Sequence, residues 1–358
     1  MLNERIIFLI KKNKPVVQAL LSAVLFGMSV PFAKLFLEKV EPLPLAGFFY
    51  LGSGLGLFFY SMLFGGDNRS EKEAKITKKE IPWLVGAVVF GGIVAPVVMM
   101  VSLKNTPSST ASLLLNFEGV ATAVIAAVLF KEAVGKRVWT AISLIVVASI
   151  ILSWKDGAWG FSLGAVGVLT ACFLWGLDNN FTRHISIKDP FTIVMIKGFV
   201  SGFFSLLLAV VLSVELPDIE LMIFAMTVGF FCYGLSIVLF VFALRRLGAA
   251  RTSGYFGIAP FIGTLASLFL FQESVSFLFV VVCALMFLGA FLLIQEDHNH
   301  EHVHDTVEHE HCHAHSDLHH EHHTDPDLLF VEHSHKHTHQ KVTHSHEHTP
   351  DIYHRHVH

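Results

Sequence analysis

Apolar residues run almost without interruption from residue 15 to residue 295, and there the pattern stops. Polar breaks cut the run at Gly65-Gly66-Asp67-Asn68, Lys131-Glu132, Trp154-Lys155-Asp156-Gly157, Lys188-Asp189-Pro190 and Leu216-Pro217-Asp218, with shorter seams between. The pieces are ten segments: 15–36, 43–64, 81–103, 107–130, 137–153, 161–182, 190–213, 219–244, 250–271 and 275–295. Each is near the ~20 residues that span a bilayer core. In lipid a spanning segment must satisfy its own backbone polar groups, so each predicts a helix. The strict alternation of a barrel strand is absent. At the seam Lys104-Asn105-Thr106-Pro107, Pro107 suits the first turn of the next helix. The predicted fold class is an all-α membrane protein with ten transmembrane helices.

Charge then orients the helices. With residues 1–14 inside, the inner ends and loops hold seventeen Lys and Arg: four before the first helix, then five (Arg69, Lys72, Lys75, Lys78, Lys79), three (Lys131, Lys136, Arg137), two (Arg183, Lys188) and three (Arg245, Arg246, Arg251). The outer ends hold four: Lys34, Lys39, Lys104 and Lys155. The positive-inside rule predicts cytoplasmic N- and C-termini and a multi-pass protein of the inner (plasma) membrane. The stretch before the first helix has no small-residue cleavage site and reads as a retained cytoplasmic end. Residues 1–296 carry a net +5, too little to suggest a nucleic-acid partner. Cys172, Cys232 and Cys283 fall in apolar segments as small hydrophobes, and their spacing suggests no disulfide frame.

The segments repeat. Phe26-Gly27-Met28-Ser29-Val30-Pro31-Phe32-Ala33-Lys34 parallels Trp175-Gly176-Leu177-Asp178-Asn179-Asn180-Phe181-Thr182-Arg183, 149 positions later. Pro44–Gly52 parallels Pro190–Gly198, and Ser112–Glu132 parallels Ser253–Glu273 at an offset of 141. Each copy holds five helices, over 15–153 and 161–295. An odd number inverts the second copy in the membrane. The loop 67–80 has five cations and its counterpart 214–219 has none, as inversion requires. Inverted repeats with a site near the midplane are a common plan of secondary transporters.

Two motifs sharpen this. One half carries Thr106-Pro107-Ser108-Ser109-Thr110-Ala111-Ser112 leading to Phe130-Lys131-Glu132; the other carries Ala249-Ala250-Arg251-Thr252-Ser253 leading to Phe271-Gln272-Glu273. Two five-helix halves with this serine-rich helix start and terminal Glu resemble the EamA branch of the drug/metabolite transporter superfamily, over residues 15–295. The resemblance implies gradient-driven transport of small metabolites, not enzymatic turnover. Export is its family-level direction. It leaves the substrate open, because that family carries amino acids, nucleotide-related compounds, drugs and metallophores. The chain has no Gly-rich phosphate loop ending in Lys-Ser/Thr, which agrees with a gradient-driven mechanism.

An ionisable group inside a membrane costs roughly 2.5–3.5 kcal/mol on insertion scales, so it marks function by default. Glu118 lies mid-segment in Leu115-Asn116-Phe117-Glu118-Gly119, and its repeat partner is Ala259 beside Pro260. Both points read as loosened helix beside a cavity, with Asn116 close by. Trp175, Asp178 and Asn179 share one helix face by i, i+3, i+4 spacing, with Thr182 one turn on. Ser29 holds the matching face of the first helix. Lys197, about two turns into the seventh segment, either pairs with Asp178 or Glu118 or faces substrate directly. Tyr255 is a stacking candidate for a planar or cationic substrate, with packing as its bland alternative. The predicted substrate cavity is therefore Glu118, Asp178, Trp175, Asn179, Asn116, Lys197, Ser29 and Tyr255, with one carboxylate binding a proton or a cationic group. Lys34 and Arg183 read as snorkelling anchors, His184 as a solvated loop residue, and Glu132 and Glu273 as helix-end groups.

Residues 297–358 differ in kind. They hold twenty-two of the twenty-three histidines and a net charge of −9 with His neutral. With too few apolar residues for a core, they predict a disordered cytoplasmic tail. Its dominant spacing of two puts imidazoles on one side of an extended chain. His309, His311, Cys312, His313, His315, His333, His335, His337 and His339 are candidate metal ligands, and imidazole with flanking carboxylate suits Zn, Ni, Co or Cu. Histidines also titrate near neutrality, so a pH response competes with metal binding, as does a dispensable tail. Residues 1–296 contain only His184, so bare metal is the weaker cargo. Two alternatives stay open: transport of a divalent metal or metal chelate gated by the tail, and a non-transporting membrane metal sensor. No cofactor is required. The partners are the lipid bilayer, a small-molecule substrate, divalent metal at the tail and, optionally, a second copy as a homodimer.

Overall fold

The computed structural model describes residues 2–64, 76–130, 135–154, 162–186, 188–247, 252, 255–294 and, in the tail, 298–304, 307–313, 333–339 and 342–348. Side chains are described from Lys14 to Leu292 with gaps. Helix α1 (Leu2–Gly27) begins well before the predicted start at 15, so the N-terminal stretch continues into it. It breaks at Met28 into α2 (Ser29–Phe36). Then come α3 (Pro42–Phe64), α4 (Ile81–Gly86), a π-helical stretch Ala87–Val94 and α5 (Ala95–Lys104). A turn at Pro107 leads into α6 (Ser108–Leu114), and a break at Leu115 separates it from α7 (Asn116–Leu129). Next are α8 (Lys136–Ser153), α9 (Leu163–Ile185), α10 (Pro190–Val211), α11 (Ile219–Gly229), a second π stretch Phe230–Leu235 and α12 (Ser236–Leu247). The last helices are α13 (Ala259–Phe271) and α14 (Phe277–Ile294).

Among the described residues, seven helical stretches are long and apolar enough to cross a membrane: Lys14–Phe36, Pro42–Leu63, Ile81–Lys104, Ser108–Leu129, Lys136–Ser153, Pro190–Val211 and Ile219–Ala243. Ala259–Phe271 and Phe277–Leu292 are shorter apolar helices. Helix α9 has 23 residues and carries Asp178, Asn179, Asn180, Arg183 and His184. Large apolar side chains point outward where lipid would meet them: Phe269 is 90% exposed, Phe277 85% and Leu63 68%. The interior holds Leu45, Phe49, Met99, Met100, Leu103, Leu113 and Leu114, together with many buried serines. A molecule apolar outside and partly polar inside is built for lipid, where polar groups must find partners within the bundle.

Packing places the polar interior. Helix α3 lies along α10, α9 lies against α5 and α7, α1 against α12, α13 against α6, and α14 against α8. The α3–α10 crossing needs glycine. A Cβ on Gly198 would meet the Gly54 nitrogen at 2.6 Å and the Tyr50 carbonyl at 2.8 Å. That approach brings Lys197 of α10 toward α9, with the π stretch Ala87–Val94 touching both α9 and α10.

Only parts of the tail are described, and those in backbone alone. Its described backbone forms β1 (His298–His304), β2 (Val307–His313), β3 (His333–His339) and β4 (Val342–His348). Strand β1 pairs antiparallel with β4, and β2 with β3. The alternation of His with other residues suits a period-two element. Ladder partners far along the chain give these segments the backbone hydrogen bonds that composition alone did not foresee.

Candidate functional site

The site is built around a π-helical turn. Residues Ala87–Val94 form i→i+5 bonds, and such a bulge loosens the carbonyl ladder. The Gly91 carbonyl accepts a hydrogen bond from the Tyr50 hydroxyl at 2.7 Å and another from the Trp175 indole Nε1 at 3.1 Å. Helices α3 and α9 are thereby tied to one carbonyl of the third apolar segment. Gly91 is required here: a Cβ would lie within the Asp178 carboxylate.

Asp178 projects from α9 and pairs with the Lys197 ammonium of α10, which donates to Oδ2. Thr182, one turn along α9, donates to Oδ1 at 3.0 Å. Asp178 and Lys197 are 5% and 7% exposed, so the pair is buried. Of the two partners sequence left open for Lys197, the structure has Asp178.

Glu118 is different. It sits in the first turn of α7, just past the break at Leu115, and is half-buried. The Asn179 side-chain nitrogen donates to its Oε1 at 2.8 Å and to the Thr122 hydroxyl at 3.2 Å. Thr122 donates to the Glu118 backbone carbonyl at 2.8 Å. Glu118 lies within electrostatic range of Asp178 and Lys197, but the Lys197 ammonium is bonded to Asp178. Asn179 itself is exposed, so this half of the cluster is open while the Asp178 half is closed. Of two adjacent residues of α9, Asp178 is thus a carboxylate paired with the Lys197 ammonium, and Asn179 holds the second carboxylate, Glu118. Aromatic rings flank the cluster: Tyr50 stacks on Tyr233 of the second π stretch at 5.4 Å, and Tyr233 meets Phe26 edge-on at 6.1 Å.

Five of the eight predicted cavity residues are brought together here. Glu118 and Asn179 are bonded directly, as are Asp178 and Lys197, and Trp175 ties the same face of α9 to Gly91. Asn116 donates to the Leu113 carbonyl at 2.8 Å, holding the α6–α7 break. Ser29 is buried at the start of α2, and Tyr255 is 36% exposed. Ser29 is a hydrogen-bond partner of Tyr233 and so belongs to the aromatic flank of the cluster, whereas Asn116 holds the helix break instead. Thr182, placed by helical spacing one turn along the same face, is indeed on Asp178. Sequence reasoning did not find Tyr50, Thr122 or Gly91. Thr122, four residues beyond an intramembrane carboxylate, could have been found by helical spacing; the Gly91 carbonyl carries no signal in sequence. His184 is no loop residue: it lies in the last turn of α9, stacked on Trp83 at 4.1 Å with Phe130 beside it at 5.1 Å. Lys34 is more than a snorkelling anchor, since its ammonium donates to the carbonyls of Leu103, Lys104 and Thr106 at 2.7, 3.2 and 2.9 Å.

Among the described residues no three His, Cys, Asp or Glu side chains gather as a metal site. The tail ligand candidates His309, His311, Cys312, His313, His333, His335, His337 and His339 are described in backbone only, and His315 lies outside the described residues.

The model of the EamA-like transporter family matches residues 13–154 and again 162–295. The chain belongs to the EamA-like transporter family. Family and apolar helices together make it a multi-pass membrane protein from a family of transporters. It is similar to an uncharacterized transporter of Methanothermobacter thermautotrophicus (strain Delta H), 26% identical over 288 residues, which span 76% of this chain and 83% of that protein. A solved crystal structure superposes with a TM-score of 0.56 at 16% identity, covering 77% of this chain and 95% of that one, a likeness of fold alone.

Proposed function

We propose that this EamA-family chain is a gradient-driven exporter of small metabolites, with Glu118 as the carboxylate that exchanges a proton or a cationic substrate group. The observation that carries this reading is the charge inventory of the cluster. Asp178 is neutralised by Lys197 and further held by Thr182, whereas Glu118 is held by the neutral Asn179 and stands on the accessible side. A negative charge without a cation in a membrane interior is costly, so a site of this kind favours arrival of a positive charge. Asp178 and Lys197 then act as a lock between α9 and α10, and Asn179 orients Glu118. The rings of Tyr50, Tyr233 and Trp175 supply π-faces for an amine or a planar group.

The wider architecture belongs to the same proposal: ten spans in two inverted five-helix repeats, both termini cytoplasmic, in the inner membrane. Two features support the repeat. The family model matches twice, and helix breaks recur at corresponding places, Leu115 against the turn at Gly257-Ile258, and one π stretch against the other.

The test is flux in proteoliposomes across a panel of amines, amino acids and planar cations. Glu118→Gln, which keeps Asn179 a partner, is expected to abolish exchange in a folded protein; exchange at the original rate removes Glu118 from the mechanism.

A second reading concerns the tail. The strand register pairs His309 with His337, His311 with His335, and His313 with His333, and likewise His300 with His346. Histidines at opposite register positions favour binding of Zn, Ni, Co or Cu by a cytoplasmic module. Transport of a metal or a metal chelate under its control is then the alternative to a metal-independent exporter. Calorimetric titration of full-length protein against the 297–358 deletion decides whether the tail binds metal at all.

A further inference from the structure

One end of the helix bundle is fastened by a carboxylate that the site does not use. Glu273 lies just past α13, and its Oε1 and Oε2 accept from the backbone amides of Ser108 at 2.7 Å and Ser109 at 3.0 Å. The Ser109 hydroxyl donates to the same carboxylate. These contacts join residues 165 and 164 positions apart, one from each proposed repeat. The chain reaches this geometry through Gln272, whose φ of 48° is left-handed. A non-glycine residue in that region costs roughly 1–2 kcal/mol, so the Glu273 contacts hold the turn in place.

The rest of that end is pinned in the same way. Lys34 holds the carbonyls of Leu103, Lys104 and Thr106 and lies within electrostatic range of Glu273. Lys104 pairs with Glu41 at 3.0 Å. The helices behind the contact meet through small polar side chains. The hydroxyls of Ser108 and Ser267 lie 2.8 Å apart, and Thr264 donates to the Ser109 carbonyl at 3.4 Å. An interface of Ser, Thr and Gly can part without repacking large side chains. Helix α6 is also short, seven residues, and ends at the Leu115 break three positions before Glu118. The fastened start of α6 and Glu118 therefore lie within one short stretch of chain.

We propose that Glu273 is a latch, clasping the start of α6 to close this end of the transport path and releasing it when the path opens to that side. The latch rests on the transport reading above, and the sequence makes it one-sided. At the offset of 141, the counterparts of Ser108 and Ser109 are Ala249 and Ala250, and the counterpart of Glu273 is Glu132. The structure of these three lies outside the described residues, but their chemistry is plain: no hydroxyl stands at 249 or 250. The counterpart set keeps two backbone amides and lacks the hydroxyl donor that Ser109 supplies here.

The test reads access and needs no substrate. In a background with Cys172, Cys232, Cys283 and Cys312 replaced by alanine, Asn179→Cys is labelled in membrane vesicles of each orientation with a membrane-impermeant sulfonated maleimide. Losing a charge-assisted bond set of this kind shifts a two-state equilibrium by roughly tenfold. Glu273→Ala is expected to raise labelling about tenfold from the face that carries Lys104 and not from the opposite face, with Ser109→Ala giving a smaller rise of the same sign. Equal rates in all three backgrounds overturn the latch and leave Glu273 a static cap, whatever Glu118 binds. If Glu273→Ala fails to fold, Ser109→Ala, which loses one hydroxyl, and a Ser109→Cys/Glu273→Cys pair closed by a short bis-thiosulfonate linker decide. The closed pair is expected to slow labelling at 179 and to recover on reduction; no slowing overturns the proposal.

Discussion

Asp178 and Lys197 form a buried contact that is costly to break. Each is buried, and each satisfies the other across two helices. Removing one partner of a buried pair leaves a bare charge and costs about 3–5 kcal/mol, whereas replacing both with neutral side chains is often close to neutral. Asp178→Asn and Lys197→Met alone should therefore each lower thermal stability in detergent sharply, and the double variant should recover most of the loss. Non-recovery would mean the residues do more than hold each other. Both side chains were legible in sequence because a charge inside an apolar segment needs a reason. Which carboxylate Lys197 would choose was not legible, since helical spacing puts residues on a face but does not say which neighbouring helix that face meets. Lys34 was misread for a related reason: its three acceptors are backbone carbonyls, and these leave no trace in residue identity.

The elements that matter most here are the irregular ones. The stretch Ala87–Val94 is uniformly apolar, so nothing in its pattern separates a π turn from an α turn. Its only signal was Gly91-Gly92, and a Cβ at either would strike a side chain, Asp178 or Ser201. Gly91→Ala should cost about 1–3 kcal/mol in stability by overpacking against Asp178; unchanged thermal stability in detergent would mean the π turn tolerates a side chain there. The break at Leu115 was more legible, because Glu118-Gly119 and its counterpart Ala259-Pro260 both disfavour continuous helix. At the start of α4, burial raises the Glu80 carboxyl pKa, but the Thr77 amide and hydroxyl at 2.6 and 2.5 Å and Lys188 at 3.8 Å outweigh it and hold the carboxyl below its ordinary 4.5. Its stabilising contribution is complete above that value and fades as pH falls through the lowered one. Glu80→Gln should flatten the acid-side loss of stability in a pH series, and an unchanged slope would remove Glu80 as its source.

At the scale of the whole molecule, the chain joins an apolar helical body to a polar tail that shares none of its physics. The apolar spans seen among the described residues were plain in sequence from length alone, while the strands of the tail were not. Their partners lie far apart in the chain, as His300 does from His346, and no local pattern announces such pairing. Deleting residues 297–358 should leave membrane insertion and metal-free flux intact. Failure to insert would show the tail to be part of the fold.

In the proposed mechanism Glu118, and not Asp178, carries the exchanged charge. The most direct measurement is growth of a strain lacking this protein on a panel of toxic amines, amino-acid analogues and metals, complemented by wild type, by Glu118→Gln or by Asp178→Asn/Lys197→Met. Glu118→Gln is expected to lose protection completely at normal membrane abundance while the charge-free pair retains it. Full protection by Glu118→Gln, with loss in the double variant, would contradict it and move the function to Asp178.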